Sequence, residues 1–460
     1  MKFTLPAALL DSLEGLDGFD REPFCRIHEH PEPATSIRLN PLKPFDVFRE
    51  YGKLEPIPWS RSGYYLPERP SFIFDPLWHA GAYYAQEASG MFLEQCVQQS
   101  IDLSASLRAL DLCAAPGGKS TLLQSLLSED SLLVSNEVIK SRAPILEENM
   151  SRWGGVNNLV AHNDPRDLGK MTNYFDLILV DAPCSGSGLF RKDPAAVREW
   201  SPDAVQLCCG RQRRILSDIY PALKKGGLLI YSTCSYSIAE NEDIADWLCD
   251  SFSLLPVRID MRASWNITET KSRKYEAFGY RFFPDKLKGE GFYIACFKKE
   301  DGGRPERLTH KKHKWSGLPA KEEAIVRPWL REGLSVNLYV LDGEIFAFPA
   351  ALEQDLVAVS ANLYLKKAGV RIGKIAQGEL VPNHELALSA LLNKKNVVIP
   401  LKKEQALQYL RKETVTIDTE HRGWAIVQYE GVNLGWIKVL GARINNYYPK
   451  EWRILKEEKK

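Results

Sequence analysis

From residue 107 onward the sequence alternates short apolar runs with stretches of helical period, and a chain built that way has few folds open to it. An apolar run at 107–113 meets a glycine turn, after which residues 119–127 carry apolar side chains at helical spacing. The alternation returns with a run at 131–136 and a periodic stretch at 140–153, with runs at 158–162 and 175–180, and with a run at 228–232 before a periodic stretch at 238–250. Strands joined through helices pair in parallel by right-handed crossovers, so the expected architecture is α/β, a doubly wound parallel sheet with helices on both faces. Residues 280–283 and 292–297 flank a turn-rich stretch and read as a hairpin, which predicts an antiparallel edge strand on that sheet.

On either side of this core, residues 106–300, the pattern changes. Residues 1–105 are rich in proline and aromatics around a strand-like segment at 35–40, which predicts a small α+β lobe and linker. After Phe297 a polar stretch running through His310, Lys311, Lys312, His313 and Lys314 reads as the main domain boundary, with 301–385 as linker and intermediate region. Residues 386–460 predict a compact β-rich module with strands at 396–400, 423–428 and 435–439, a turn at Glu430-Gly431 and a helix at 403–411.

Composition narrows the class. The chain of 460 residues is 44% hydrophobic and 26% charged, as a globular protein is, and no uncharged apolar run approaches the ~20 residues that cross a bilayer. Nine cysteines without a C-x-x-C pair read as reduced thiols in the cytoplasm, with neither a disulfide framework nor a metal site. The net charge of +1 hides an asymmetry: residues 301–460 carry 26 Lys and Arg against 19 Asp and Glu, which leaves residues 1–300 acidic. A basic module on an acidic core suits a polyanion partner; a charged, solvated surface is the plain alternative.

The chemistry concentrates at the ends of the expected strands, where an open α/β sheet binds its ligands. Cys113, Ala114, Ala115, Pro116, Gly117, Gly118 and Lys119 make a tight turn between strand and helix. The turn has neither the four-residue gap of a phosphate cradle nor a dinucleotide fingerprint. Glu137 at the second strand end suits a ribose diol and Asp164 at the third an adenine amino group, so the set points to S-adenosylmethionine rather than a pyrophosphate ligand. The next two strands end in Asp181-Ala-Pro-Cys184 and Ser232-Thr-Cys234. Most cysteines merely pack, and Cys25, Cys96, Cys208, Cys209, Cys249 and Cys296 read that way. Two thiols at neighbouring ligand-facing ends point instead to addition at carbon 6 of a pyrimidine, which makes carbon 5 nucleophilic, with Asp181 stabilising the charge that builds on the ring. Such a thiol needs a lowered pKa from a helix N-terminus or nearby Lys and Arg.

On these residues the sequence resembles the Nop/Sun family of S-adenosylmethionine-dependent RNA cytosine-5 methyltransferases, with the segments 111–121, 181–188 and 232–236 and then Asn241-Glu242 in the family's order. The resemblance implies a Rossmann-like methyltransferase sheet, Cys234 as nucleophile, Cys184 as the thiol that assists release, and cofactor contacts from 113–119, Glu137, Asp164, Asp181 and, more weakly, Arg142. It further implies an RNA-recognition-like N-terminal lobe, a PUA-like RNA-binding C-terminal module, and ribosomal RNA or the small ribosomal subunit as partner. Transfer RNA is the nearest alternative substrate. A DNA cytosine methyltransferase would attack through Cys184 instead, and a ribosome-assembly factor that holds RNA without turnover is the alternative outside enzymes. In the C-terminal module Trp424, Trp436, Tyr447, Tyr448 and Trp452, interleaved with basic residues, suit base stacking, although a β core would use the same side chains. Ala195 and Arg198 depart from the family pattern, which has Asp and Lys there.

Overall fold

A computed structural model describes residues 4–29, 31–302, 315–441 and 443–457. Continuous apolar runs are what strands covered on both faces require. Arg108–Asp111, Leu132–Asn136, Asn158–Ala161, Phe175–Asp181 and Leu223–Thr233 form the parallel heart of the molecule, and most of their side chains are buried. Across the sheet the order is Leu223–Thr233, Phe175–Asp181, Arg108–Asp111, Leu132–Asn136, Asn158–Ala161. The first of these in sequence thus lies in the middle, and the connections run outward from it in both directions. Open α/β sheets bind ligands in the crevice at such a reversal, which here lies beyond the carboxyl ends of Arg108–Asp111 and Phe175–Asp181.

Beside Leu223–Thr233 the sheet turns antiparallel, through Phe292–Lys299, Phe278–Phe282 and Thr268–Lys271. That edge was legible as a hairpin. The opposite edge was not: Leu365–Ala368 pairs antiparallel with Asn158–Ala161 and closes the sheet from the far side. The stretch read as linker also builds a five-stranded antiparallel sheet from Ser316–Gly317, Val336–Leu341, Glu344–Pro349, Val370–Ala376 and Glu379–Pro382. Its hairpins turn at Asp342-Gly343 (φ 51° and 78°) and Gln377-Gly378 (φ 53° and 80°). A residue followed by glycine, both with positive φ, matches the twist of two-residue hairpins, a signal that the hydrophobic pattern alone passes over. The His310 to Lys314 stretch lies outside the described residues.

Two arginines lock the flanking modules to the central domain. In the N-terminal sheet, Thr35–Leu39 lies between Gly63–Leu66 and Tyr83–Ala85. Arg38 on that strand is 1% exposed and stacks on Trp153 at 4.5 Å. Its guanidinium donates to Gln86 Oε1 (2.8 Å), Thr121 Oγ1 (2.6 Å) and the Gly118 carbonyl (3.3 Å). The lobe is therefore tied to the helix Gly118–Leu126 that leaves the glycine turn. Arg152 lies over Trp78 of the lobe at 4.5 Å and over Trp452 of the C-terminal module at 5.3 Å, so three domains meet on one cation.

The C-terminal module sets Gly423–Tyr429 against Val432–Leu440, with Glu430 (φ 47°) and Gly431 (φ 78°) as the turn. Packing divides its aromatics between the two expected uses. Trp436 and Tyr448 are each 1% exposed and belong to the core, while Trp424 meets Tyr447 edge-on at 4.4 Å, both half-buried. No described helix is long and apolar enough to cross a membrane.

Replacing Arg38 by methionine keeps the volume and removes donors from buried acceptors. Arg38→Met is expected to lower stability by about 2–4 kcal/mol in urea unfolding and to release the N-terminal lobe early in limited proteolysis.

Candidate active site

Asp111 ends the central strand, and the chain reaches the helix Gly118–Leu126 through Gly117, whose φ of 116° favours glycine. The turn is pinned from outside. The Ala114 amide donates to the Asn136 carbonyl (2.8 Å), and Asn136 Nδ2 donates to the carbonyls of Leu112 (3.2 Å) and Asn163 (3.0 Å). Asn149 Nδ2 holds the Pro116 carbonyl (2.8 Å), while Arg142 donates to the Ala115 carbonyl and lies 3.6 Å from Glu137 Oε2. One arginine thereby spans the turn and the second-strand acid. Asn136 was not visible as a functional residue in the sequence, because its role is to join three strand ends that meet only in the fold.

Glu137 is buried, with Oε1 accepting from the Ile139 amide (2.8 Å). Asp164 caps the short helix Pro165–Gly169, Oδ1 accepting from the Arg166 amide (3.1 Å), with Arg214 3.5 Å from Oδ2. Asp111 is fully buried; Oδ2 accepts from Ser120 Oγ (2.7 Å) and Oδ1 has no hydrogen-bond partner. Burial, reinforced by the charges of Asp181 and Glu137, pushes its carboxyl up to about 7 against the opposing Ser120 bond. Burial likewise pushes the Cys113 thiol up, so that it stays neutral.

Parallel pairing sets Asp181 opposite Ser232. Cys184 and Cys234 lie a few residues further along the two chains, half-buried, with their Sγ atoms 3.0 Å apart. Asp181 accepts from Ser232 Oγ (2.7 Å) on one oxygen and from Lys119 Nζ (2.8 Å) on the other. Burial works against the Lys119 charge, but Asp181, Asp111 and the Cys234 thiol outweigh it and hold the ammonium above its ordinary range. The Cys184 thiol is driven upward, first by its hydrogen bond to Cys234, then by burial, and also by the negative charges of Cys234 and Glu240. A cation thus attends Cys234, and a carboxylate attends Cys184.

Glu240 escaped the sequence reading. It is fully buried behind both thiol loops, and its partners come from three separate segments. The Gly188 amide donates to the Cys234 carbonyl (2.8 Å), and a β-carbon on Gly188 would come within 2.2 Å of the Gly291 carbonyl oxygen. Among the packing thiols Cys96, Cys209 and Cys296 are buried, and Cys25, Cys208 and Cys249 half-buried. Ala195 and Arg198 lie on the helix Pro194–Glu199, where Arg198 is exposed.

Comparison with known proteins agrees with this arrangement. Residues 99–298 match the family described as 16S rRNA methyltransferase RsmB/F, residues 5–88 the N-terminal domain of 16S rRNA methyltransferase RsmF, and residues 396–454 the methyltransferase RsmF PUA domain. The chain is 30% identical to the ribosomal RNA small subunit methyltransferase F of Pectobacterium atrosepticum, over 98% of this chain and 96% of that one. It is 30% identical to the protein of the same name from Shewanella piezotolerans, over 90% of each. Among solved structures it is similar to a methyltransferase homolog from Pyrococcus horikoshii (TM-score 0.52, 29% identity, 64% of this chain and all, 100%, of that one). It shares its fold with NSun6 from the same organism (TM-score 0.54, 19% identity, 65% of this chain, 100% of that one).

Two outcomes follow from the geometry. A carboxyl raised to about 7 in the fold favours folding fully below its unfolded value and loses that contribution as pH rises through about 7. Asp111→Asn removes the titration, so between pH 5 and pH 8 its thermal stability should gain on wild type by about 2 kcal/mol. Gly188→Ala forces backbone apart beneath Cys234 and should cut the methylation rate at least tenfold, about 1.4 kcal/mol in the barrier, in steady-state assays.

Proposed function

Since the chain belongs to the RsmB/F family of 16S rRNA methyltransferases, we propose that it transfers a methyl group from S-adenosylmethionine to carbon 5 of a cytosine in small-subunit ribosomal RNA, through a covalent adduct on Cys234. The observation that carries this reading is the pair of thiols 3.0 Å apart beside the Asp181–Lys119 ion pair, at the mouth of the sheet's crevice.

The residues of the crevice fit the methyl donor. Glu137 and Asp164 end adjacent parallel strands and suit a ribose diol and an adenine amino group, while the turn from Cys113 to Lys119, with Asp181 beyond it, would hold the remainder. When bound, the donor supplies an electrophilic methyl group. Everything else is the work of the chain. The Cys234 thiolate adds to carbon 6 of the cytosine, and the ring electrons so displaced make carbon 5 the nucleophile. Asp181 accepts from the exocyclic amine, and Lys119 behind it offsets the negative charge that builds on the ring. Loss of the carbon 5 proton to solvent water, with its bonding pair closing the ring double bond and the carbon 6–sulfur pair returning to sulfur, then restores aromaticity and the Cys234 thiolate.

The division of labour between the thiols rests on the fields around them. The hydrogen bond to Cys234, burial and the Glu240 carboxylate push the Cys184 thiol up and keep it protonated, while Lys119 pairs with Asp181. Cys184 therefore serves release rather than attack. RNA is the partner that the PUA match and the basic C-terminal part suit, with Trp424, Tyr447 and Trp452 half-buried among the aromatics named for stacking.

Labelled methyl offered with small ribosomal subunits, stripped ribosomal RNA, transfer RNA and duplex DNA tests the reading. Wild type should yield 5-methylcytidine in ribosomal RNA, and Cys234→Ala should lose it by at least 10³-fold. Label on DNA, or label retained by Cys234→Ala, would overturn the assignment. Cys184→Ala should leave RNA covalently attached on denaturing gels.

A further inference from the structure

We propose that Glu240 is a positioning residue that holds Cys184 within reach of Cys234 for the release step, an inference that rests on the division of roles just given. Between the two strands that carry the thiols, pairing ends at Asp181 and Ser232, so the separation of the thiols depends on what joins the loops. Glu240, at the end of the single turn Ile238–Glu240, joins them. Its Oε1 accepts from the Ser185 amide (2.8 Å) and Gln212 Nε2 (3.2 Å), and its Oε2 from Ser185 Oγ (2.5 Å) and Ser235 Oγ (2.6 Å). Ser185 directly follows Cys184, and Ser235 directly follows Cys234.

The arrangement is costly in the way that functional sites are. Glu240 is 0% exposed, and none of these side-chain partners is a cation. Its charge is held by neutral donors alone, and a glutamine would present an amide where two hydroxyls now donate. The Cys234 loop has tethers of its own, since Asn241 Nδ2 donates to the Ser235 carbonyl (2.8 Å) and Asn241 Oδ1 accepts from Thr233 Oγ1 (2.6 Å), so loss of the carboxylate should loosen the Cys184 loop first. Release should then suffer more than attack.

The test uses the full chain with ribosomal RNA and S-adenosylmethionine, comparing wild type, Cys184→Ala, Glu240→Gln and Ser185→Ala. Melting temperature and donor binding show whether each variant is folded. Glu240→Gln is expected to methylate within about threefold of wild type in a single turnover, to fall at least tenfold over multiple turnovers, and to retain RNA on denaturing gels as Cys184→Ala does. If Cys184→Ala retains the adduct and Glu240→Gln clears it at the wild-type rate, the positioning role is wrong while the thiol roles stand. Equal losses in single and multiple turnover would also overturn it, since a merely structural carboxylate would act on both. If Cys184→Ala itself retains no adduct, the division of roles fails and this inference with it. Should Glu240→Gln not fold, Ser185→Ala, which removes one hydroxyl from the same carboxylate, is read by the same criteria.

Discussion

The pairing of Phe175–Asp181 with Leu223–Thr233 is the contact on which the site depends. Parallel strands advance together, so two chains that leave the sheet at paired residues emerge side by side at the same face. Asp181 opposite Ser232 brings the Ser232 hydroxyl onto the Asp181 carboxylate and starts the two thiol loops from the same end of the sheet. The reversal of strand order next to Phe175–Asp181 makes this the ligand-binding end of the sheet, and the glycine turn leaves the sheet at the same end.

Around that pairing the structure buries polar groups at a cost and satisfies most of them across domains. Arg38 reaches from the N-terminal lobe to the helix that begins at the glycine turn, and Arg152 lies against tryptophans of both flanking modules. Each removes a large cation from water; stacking on tryptophan offsets part of the loss at both, joined by several acceptors at Arg38 and by Glu148 at Arg152. At Asp111 the outcome is different: with a partner on one oxygen alone, its carboxyl moves towards neutrality.

The readable parts of the chain were those in which local pattern and burial coincide. Runs such as 107–113 and 175–180 are apolar because both faces of the sheet are covered, and the turn at Glu430-Gly431 announces itself by residue type. The five-stranded sheet after residue 315 was missed because its strands are only partly buried and lack the continuous apolar runs of the central sheet. Leu365–Ala368 was missed for a deeper reason: an edge strand recruited from a distant segment has no sequence mark of the strand it joins. Of the aromatics offered for RNA stacking, Trp436 and Tyr448 proved to be core, since an aromatic side chain serves either purpose and packing alone decides.

By itself the sequence determined the doubly wound sheet, the order of its motifs, and the presence of two thiols and three acids at strand ends, because these follow from periodicity and from spacing along one chain. Only the tertiary structure decided which groups feel one another. That Lys119 serves Asp181 and lies in the field of Cys234, that Glu240 joins the loops of Cys184 and Cys234, and that Asn136 and Arg142 clamp the glycine turn are contacts between residues far apart in sequence. Charge and hydrogen bonding act over a few ångströms of space, and distance in space is set by how the strands stack, which no single stretch of chain contains.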